Sequence, residues 1–95
     1  MRILSKPFEF QWDTGNTGKN FKKHQVQDRE AEEPFFDKQH KTFKDTLHSG
    51  GEERYRIVGK TKKGRVLLVV FTMRGKKVRI ISARNINKKE VSLYI

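Results

Sequence analysis

Three apolar runs in the second half of the chain, joined by short segments that contain glycine, restrict the fold more than any other feature of the sequence. The runs are EERYRIVGK, RVLLVVFTM and KKVRIISARN, and the segments between them are TKKG and RG. Runs rich in β-branched and aromatic residues with such short connections are typical of β-hairpins. We therefore expect residues 52–85 to form an antiparallel meander of three strands.

The middle run is apolar on both sides. Alternate residues of a strand point to opposite faces, and here one set is Val66, Leu68 and Val70 while the other is Leu67, Val69 and Phe71. A strand with two apolar faces is buried on both. The middle strand should therefore be central in the sheet, with other elements packed on each face.

The remaining segments are short and predict the elements that cover this sheet. They are a strand over residues 8–12, a basic helix over 17–24, an acidic helical turn over 28–37 that Pro34 shortens, a strand over 41–45 and a terminal helix over 86–95. The fold class that follows is α+β. We expect a small antiparallel sheet, made of the meander plus an N-terminal strand, with the N-terminal helices on one face and the C-terminal helix on the other.

Charge limits the class of partner. Lys and Arg number 22 against 11 Asp and Glu, which gives a net charge of +11. A surplus of this size attracts polyanions, so RNA, DNA, an anionic membrane or an acidic protein are all compatible with it. The chain contains no cysteine and no apolar stretch of the length that a signal peptide or a membrane span requires. We therefore expect a cytoplasmic protein without a membrane partner.

The sequence predicts neither a metal nor a cofactor. Its three histidines, His24, His40 and His48, are not spaced to place two ligands on one helix face. The glycines at positions 50 and 51 lack the lysine and the helix that follow a phosphate-binding loop. Any chemistry should therefore come from the side chains themselves.

Five arginines lie on or beside the predicted strands, at positions 54, 56, 74, 79 and 84. A single arginine on a sheet surface is most often solvated or paired with a carboxylate. Five on neighbouring strands, with lysines in the turns, predict a concave surface of guanidinium groups, whose geometry suits phosphate oxygens. RNA is one ligand that such a surface would hold.

RNA cleavage by the 2′-hydroxyl needs a base, an acid and cations around the phosphate. The candidates for proton transfer are His24, His48, Glu52 and Glu53. Each has an ordinary structural interpretation as well, because His24 would end a helix, His48 would lie in a loop and the glutamates would be solvated turn residues. Those alternatives stay open at this point.

The order of these motifs resembles the BrnT family, the ribonuclease toxins of bacterial type II toxin-antitoxin modules. FEFQWD is similar to that family's opening FEWD, NFKKHQV to its N..KHGV, and HSGGEERY to its HS.GEERY. RIISAR, with Glu90 and Tyr94 after it, is similar to RIISAR....E...Y. The pairing of GEERY with RIISAR is the specific part, and the resemblance spans nearly the whole chain.

The resemblance implies that residues 1–95 form one toxin-like domain with a fold akin to the RelE and microbial ribonuclease toxins. It implies metal-independent RNA cleavage that arrests growth. It also implies a cognate, BrnA-like antitoxin that neutralises the toxin in a hetero-oligomer able to bind promoter DNA. Two alternatives remain, a basic RNA- or DNA-binding module without catalysis and an inactive toxin homologue that binds an antitoxin.

Carried over by motif, the family's characteristic positions are Trp12, Asp13, Asn20, Lys23, His24, Glu52, Glu53, Arg54, Tyr55, Arg79, Ser82, Ala83, Arg84, Glu90 and Tyr94. We predict catalytic roles for His24, Glu53, Arg54 and Arg84, and RNA-binding roles for Lys23, Tyr55, Arg56, Arg74 and Arg79. The chain departs from the family at Thr14, Gln25, Asp28 and Pro34, where proline, glycine and two apolar residues are usual. These departures all lie in the helical half.

Overall fold

The computed structural model describes residues 9–45 and 51–95, which form one five-stranded sheet with short helices on both faces. The elements in chain order are β1 (Glu9–Phe10), α1 (Lys19–His24), α2 (Asp28–Glu32), a 3₁₀-helix (Glu33–Phe36), β2 (Lys41–Asp45), β3 (Arg54–Lys60), β4 (Val66–Arg74), β5 (Lys77–Asn85), a second 3₁₀-helix (Lys88–Glu90) and α3 (Val91–Tyr94). The predicted α+β class is confirmed.

The predicted meander is confirmed, with β4 between β3 and β5 and both pairings antiparallel. β4 and β5 are joined by a two-residue turn, Gly75 and Lys76, in which Gly75 has a φ of 62°. A positive φ at the first turn residue matches the right-handed twist of the flanking strands, and glycine adopts it without steric cost. The RG segment of the sequence therefore leads into a tight hairpin turn.

The order of the strands is β1-β5-β4-β3-β2. The first strand is shorter than predicted and lies parallel to β5, with Glu9 opposite Lys77, so the sheet is mixed rather than purely antiparallel. Position 8 of the predicted strand lies outside the described residues. Within residues 9–45 and 51–95, no helix has the length and apolar character needed to cross a membrane.

The N-terminal helices cover one face of the sheet, here called the core face. Val26, Ala31 and Phe35 pack there against the buried residues of the meander, which are Ile57, Leu67, Val69, Phe71, Val78, Ile80 and Ala83. The rings of Phe35 and Phe71 meet edge to face with centroids 5.1 Å apart. These contacts form the hydrophobic core.

Pro34 and Gly59 determine how the first 3₁₀-helix packs on the sheet. Pro34 is the second residue after α2, in the first turn of the 3₁₀-helix, so the α-helix ends close to the point that the missing N–H predicts. A Cβ atom on Gly59 would lie 2.7 Å from the carbonyl oxygen of Pro34. Glycine at position 59 therefore allows the 3₁₀-helix to touch the backbone of β3.

Two buried asparagines cover the edge of β5 that β1 leaves unpaired. The Asn16 amide donates to the carbonyl of Ile80 over 3.0 Å, and Asn20 Oδ1 accepts from the N–H of Ala83 over 2.9 Å. An unpaired edge strand exposes backbone donors and acceptors. The two side chains satisfy these groups and attach α1 to β5.

Residues 86–95 lie on the other face, where α3 contacts β3. They form a 3₁₀-helix followed by the single turn of α3 rather than the continuous helix that the spacing predicts. Asn87 caps the 3₁₀-helix by accepting from the N–H of Glu90, so the helical segment begins at Lys88 rather than at Ile86. The Tyr94 hydroxyl donates to Asp37 over 2.6 Å and anchors the end of the chain.

Candidate functional site

A β-bulge aligns the arginines of the sheet on the face opposite the core face, here called the arginine face. In a regular strand, residues five positions apart, such as Arg79 and Arg84, point to opposite faces. Here Ser82 pairs with Val70 but Ile80 pairs with Phe71, so Ile81 is the extra residue of a bulge. Arg79 and Arg84 consequently share one face.

The register places the other three arginines on that same face. Residues opposite each other in an antiparallel pair share a face, and Arg56 is opposite Val70, which is opposite Ser82. Alternation along β3 and β4 then brings Arg54 and Arg74 to the same side. The five arginines predicted from the sequence thus share a face, although they do not form one continuous surface.

Three of the five arginines meet in a cleft of about 320 Å³ on the arginine face. This arginine cleft is lined by Lys44, Asp45, Arg54, Arg56, Leu68, Val70, Ile81, Ser82, Arg84 and Glu90. Apolar side chains form part of the wall, and the charged groups come from β2, β3, β5 and the second 3₁₀-helix. Four cations and two carboxylates give the cleft a positive balance.

Arg84 is held in a two-point ion pair with Glu90. Its Nη1 and Nη2 atoms donate to Glu90 Oε1 and Oε2 over 2.8 and 2.6 Å. The hydrogen bonds with Arg84 outweigh burial and lower the pKa of Glu90, while the same bonds raise the pKa of Arg84. Both groups therefore stay charged across the physiological range, with the guanidinium fixed in orientation.

Arg56 has a buried donor without an acceptor. Its guanidinium carbon lies 6.0 Å from the centre of the Phe43 ring, which is a cation–π distance. Its Nε atom is buried, and no atom of the described residues accepts a hydrogen bond from it. A buried charged donor left unpaired costs free energy, on the order of 1–3 kcal/mol or more, so the site favours a ligand that supplies an acceptor.

Arg54 stands opposite Asp45 where β2 and β3 pair. Asp45 is buried, and both residues take part in interactions within the protein. Arg54 therefore lines the cleft as a cation that already interacts within the protein and stands beside the neighbouring strand β2.

Arg74 and Arg79 share the arginine face but do not line the cleft. Arg79 donates to Asp13 over 2.6 Å, and Arg74 donates to Glu52 over 2.9 Å. These bonds are the main cause of the lowered pKa of each carboxylate. Arg74 and Arg79, two of the three arginines predicted to bind RNA, are thus ion-paired outside the cleft.

Glu53 and Tyr55 are associated with the core face rather than with the arginine face. The Tyr55 ring lies 5.6 Å from Phe71, and its hydroxyl donates to Glu53 over 2.7 Å. Hydrogen bonds from Tyr55 and then from Lys44 lower the pKa of Glu53. Because Lys44 also lines the cleft, Glu53 stands at the margin of the cleft and not within it.

Lys23 and His24 end α1, and both are exposed. Neither lines the arginine cleft. His48, the other histidine considered for proton transfer, lies outside the described residues. The described residues contain no group of three or more side chains that would hold a metal ion.

Two residues of this region were not predicted as part of the site. Phe43 and Asp45 sit on β2 opposite Arg56 and Arg54. Strand pairing sets these partners, and a five-residue strand flanked by polar residues does not reveal its register. The alternation of Phe43 and Asp45 with lysines was the available hint that they face the same side.

The fold and the cleft define a class, a small basic α+β protein with guanidinium groups collected on one face of a sheet. The chain belongs to the BrnT family. The protein-family model described as a ribonuclease toxin, BrnT, of type II toxin-antitoxin systems matches residues 12–90. That span includes every residue of the arginine cleft, and it confirms the family indicated by GEERY and RIISAR. No curated protein matches the chain.

Proposed function

We propose that this chain is an endoribonuclease toxin whose arginine cleft binds the phosphate at which RNA is cut. The observation that carries the proposal is the convergence of Arg54, Arg56 and Arg84 on one cleft, with the buried Nε of Arg56 lacking an acceptor among the described residues. A phosphate oxygen supplies such an acceptor, and guanidinium groups engage two oxygens at once. Membership of the BrnT family supports RNA as the source of that phosphate.

In the proposed reaction the 2′-hydroxyl loses its proton to a base and its oxygen attacks the adjacent phosphorus. The bond from phosphorus to the 5′-oxygen breaks, and that oxygen receives a proton, which leaves a 2′,3′-cyclic phosphate and a 5′-hydroxyl. Negative charge builds on the phosphate during the attack. Cations that already stand in place stabilise this charge without reorganising, which is the role of the three cleft arginines and the reason that a metal ion is not required.

Proton transfer is assigned to Glu53 and His24 as a prediction from the sequence. Glu53 has the stronger support, because Lys44 Nζ lies 3.2 Å from its carboxylate and Lys44 lines the cleft. Its lowered pKa keeps it ionised near neutral pH, so in this proposal it acts as the base and not as the acid. His24 would have to act from the end of α1, where it is exposed.

Inside a bacterial cell the proposed activity would arrest growth until an antitoxin covers the arginine face. A net charge of +11 makes acidic segments of a partner good ligands for that face. We propose a cognate antitoxin that neutralises the toxin in the cytoplasm and forms with it a hetero-oligomer that binds promoter DNA. Induction of the toxin alone should stop growth, and co-expression with the antitoxin should restore it.

The test is single-turnover cleavage of a labelled RNA by Arg56→Ala and Arg84→Ala, with Arg29→Ala as a matched control. Arg29 is exposed on α2, so the control removes the same charge from the other side of the sheet. By analogy with the loss of one oxyanion donor, each cleft variant should slow cleavage about a hundredfold. The control should cleave at nearly the wild-type rate.

Glu53→Ala and His24→Ala separate proton transfer from binding. Each should bind RNA as the wild type does and cleave it more slowly if its residue moves a proton. RNA that stays intact with the wild-type protein would identify a non-catalytic binding module instead. Wild-type rates in both cleft variants, with unchanged melting, would place the active site elsewhere.

A further inference from the structure

We propose that Glu90 is a positioning residue, which holds the Arg84 guanidinium so that its Nε edge is presented to the phosphate in the arginine cleft. The inference rests on the proposed function, because it assigns a task to Glu90 within that site. The inference follows from the hydrogen bonds of Arg84, because three of its N–H groups donate to acceptors among the described residues and two do not.

Arg84 has five N–H donors, and the protein uses three of them. Two go to Glu90, as described above, and a second Nη1 hydrogen goes to the carbonyl of Asn85 over 3.1 Å. The described residues contain no acceptor for Nε or for the second Nη2 hydrogen of Arg84. These two donors share one edge of the guanidinium plane, and that edge has the spacing of two phosphate oxygens.

Glu90 is itself held firmly, which suits a positioning role better than a role as an anion that RNA displaces. Its Oε1 also accepts from the N–H of Asn87 over 2.9 Å, and its own N–H donates to Asn87 Oδ1 over 3.0 Å. Its side chain is 15% exposed. Removing this carboxylate from Arg84 would break several bonds at once, so the pair should persist when RNA binds.

A mutant cycle between Glu90 and Arg84 tests the inference. Glu90→Gln keeps Oε1, and with it the bonds to Nη1 and to Asn87, but replaces the acceptor for Nη2. Loss of a group that orients another functional group typically costs tenfold to a hundredfold, as in the outer shells of metal sites. We expect Glu90→Gln to lower kcat by about tenfold with a smaller effect on KM.

In the Arg84→Ala background the same Glu90→Gln change should slow cleavage by less than about twofold, since no guanidinium remains to be oriented. If the two effects multiply instead, to about a thousandfold in the double variant, Glu90 acts independently of Arg84 and the inference is overturned. Arg84→Met, which keeps an apolar stem, serves as the background if melting shows that Arg84→Ala is unfolded.

Asn87→Ala is the structural control, because it removes the side-chain cap of the second 3₁₀-helix but keeps the backbone N–H of residue 87 that donates to Glu90 Oε1, so both Glu90 oxygens stay opposite Arg84. It should cleave within about twofold of the wild type, although the loss of a helix cap costs about 1 kcal/mol of stability. Equal slowing by Asn87→Ala and Glu90→Gln at equal melting temperature would show that Glu90 has only a structural role.

The failure of this inference is distinguishable from failure of the proposed function. A wild-type protein that leaves RNA intact overturns the proposed function alone. The same cycle is then measured as the dissociation constant of a 2′-deoxy oligonucleotide, which the proposed reaction does not cut. Weaker binding by Glu90→Gln only when Arg84 is present supports the positioning role, and equal effects in both backgrounds overturn it.

Discussion

Gln25 adopts a backbone conformation that favours glycine, and this costs the folded protein stability. It follows α1 with φ 59° and ψ 32°, in the left-handed region, and its N–H donates to the carbonyl of Phe21. In the family pattern that NFKKHQV resembles, the residue after KH is glycine, and glycine is the residue that most often ends a helix in this conformation. A side chain other than glycine in this region costs roughly 1 kcal/mol.

Gln25→Gly should therefore stabilise the protein by about 0.5–1 kcal/mol, because it relieves the left-handed strain and keeps the backbone bonds. The measurement is the free energy of unfolding in urea. Lys22→Gly on the exposed side of the same helix is the control, and it should destabilise by about 1 kcal/mol. A loss of stability with Gln25→Gly would mean that the glutamine side chain makes contacts worth more than the strain.

At the residue scale the sequence predicts which side chains could bind phosphate better than it predicts their ion-pair partners. The five arginines and their common face follow from residue types on predicted strands. The sequence does not show which of these arginines form ion pairs, because Asp13 meets Arg79 and Glu52 meets Arg74 only in the folded protein. Each pairing joins positions that are far apart in the chain and are close only through strand order.

At the scale of elements the meander was predictable because short glycine turns fix which strands are neighbours. The bulge at Ile81 was not predictable, because the residue pattern of an apolar run does not indicate an extra residue in β5. It nevertheless determines that Arg84 joins Arg56 on the arginine face. The parallel position of β1 also escaped prediction, because a two-residue strand carries too little pattern to specify its partner.

The C-terminal element depends on a bond between Tyr94 and Asp37, which joins α3 to the segment after the first 3₁₀-helix. Burial opposes ionisation of Asp37, but hydrogen bonds from Tyr94 and from the N–H groups of Gln39 and Lys60 outweigh it and lower its pKa. The bond to Asp37, with burial adding to it, raises the pKa of Tyr94 to about 12. The hydroxyl should therefore stay protonated in the folded state at pH values where a free tyrosine ionises.

Tyr94→Phe should lower stability at pH 7 by about 1.5–3 kcal/mol, the range for a hydrogen bond to a charged group. A group whose folded pKa is raised contributes stability that is complete below its unfolded pKa and is lost as pH rises through the folded value. The difference between the wild type and Tyr94→Phe should thus shrink between pH 10 and about 12. Denaturant unfolding at pH 7, 9 and 11 measures it.

Tyr55→Phe is the comparison, because the pKa of Tyr55 is also raised, first by its bond to Glu53. Its pH dependence should be similar in direction, yet it should leave the C-terminal element in place. A stability difference for Tyr94→Phe that does not change from pH 7 to pH 11 would mean that the Tyr94 hydroxyl is not held by Asp37 in solution.

At the scale of the whole molecule, one face of the sheet forms the hydrophobic core and the other carries the arginine cleft. The core face holds Val26 and the apolar side chains of α2, the first 3₁₀-helix and the meander, and the arginine face holds the charged groups. Because β4 is apolar on both sides, the same strand supports the core and forms the apolar part of the cleft wall. The cleft arginines therefore stand on β3 and β5, the two strands that pair with β4.

The number of phosphate contacts distinguishes a cleft of three arginines from a surface of five. Each phosphate neutralised on a single strand contributes about −0.7 to the slope of log K against log salt. Because the three cleft arginines are proposed to hold one phosphate, the cleft alone predicts a slope of about −0.7, whereas opening of the Arg74 and Arg79 ion pairs to two further phosphates would predict about −2. We expect the smaller slope, because neither Arg74 nor Arg79 lines the cleft.

The measurement is the affinity for a 2′-deoxy oligonucleotide between low and physiological salt, made on the wild type, Arg56→Ala and Arg29→Ala. Arg56→Ala should weaken binding but keep the slope, because Arg54 and Arg84 still hold the phosphate, and Arg29→Ala should leave both the affinity and the slope unchanged. A wild-type slope near −2 that returns to about −0.7 in Arg74→Ala/Arg79→Ala would instead show that the ion pairs beside the cleft open and bind phosphate. In that case RNA would cover the whole arginine face.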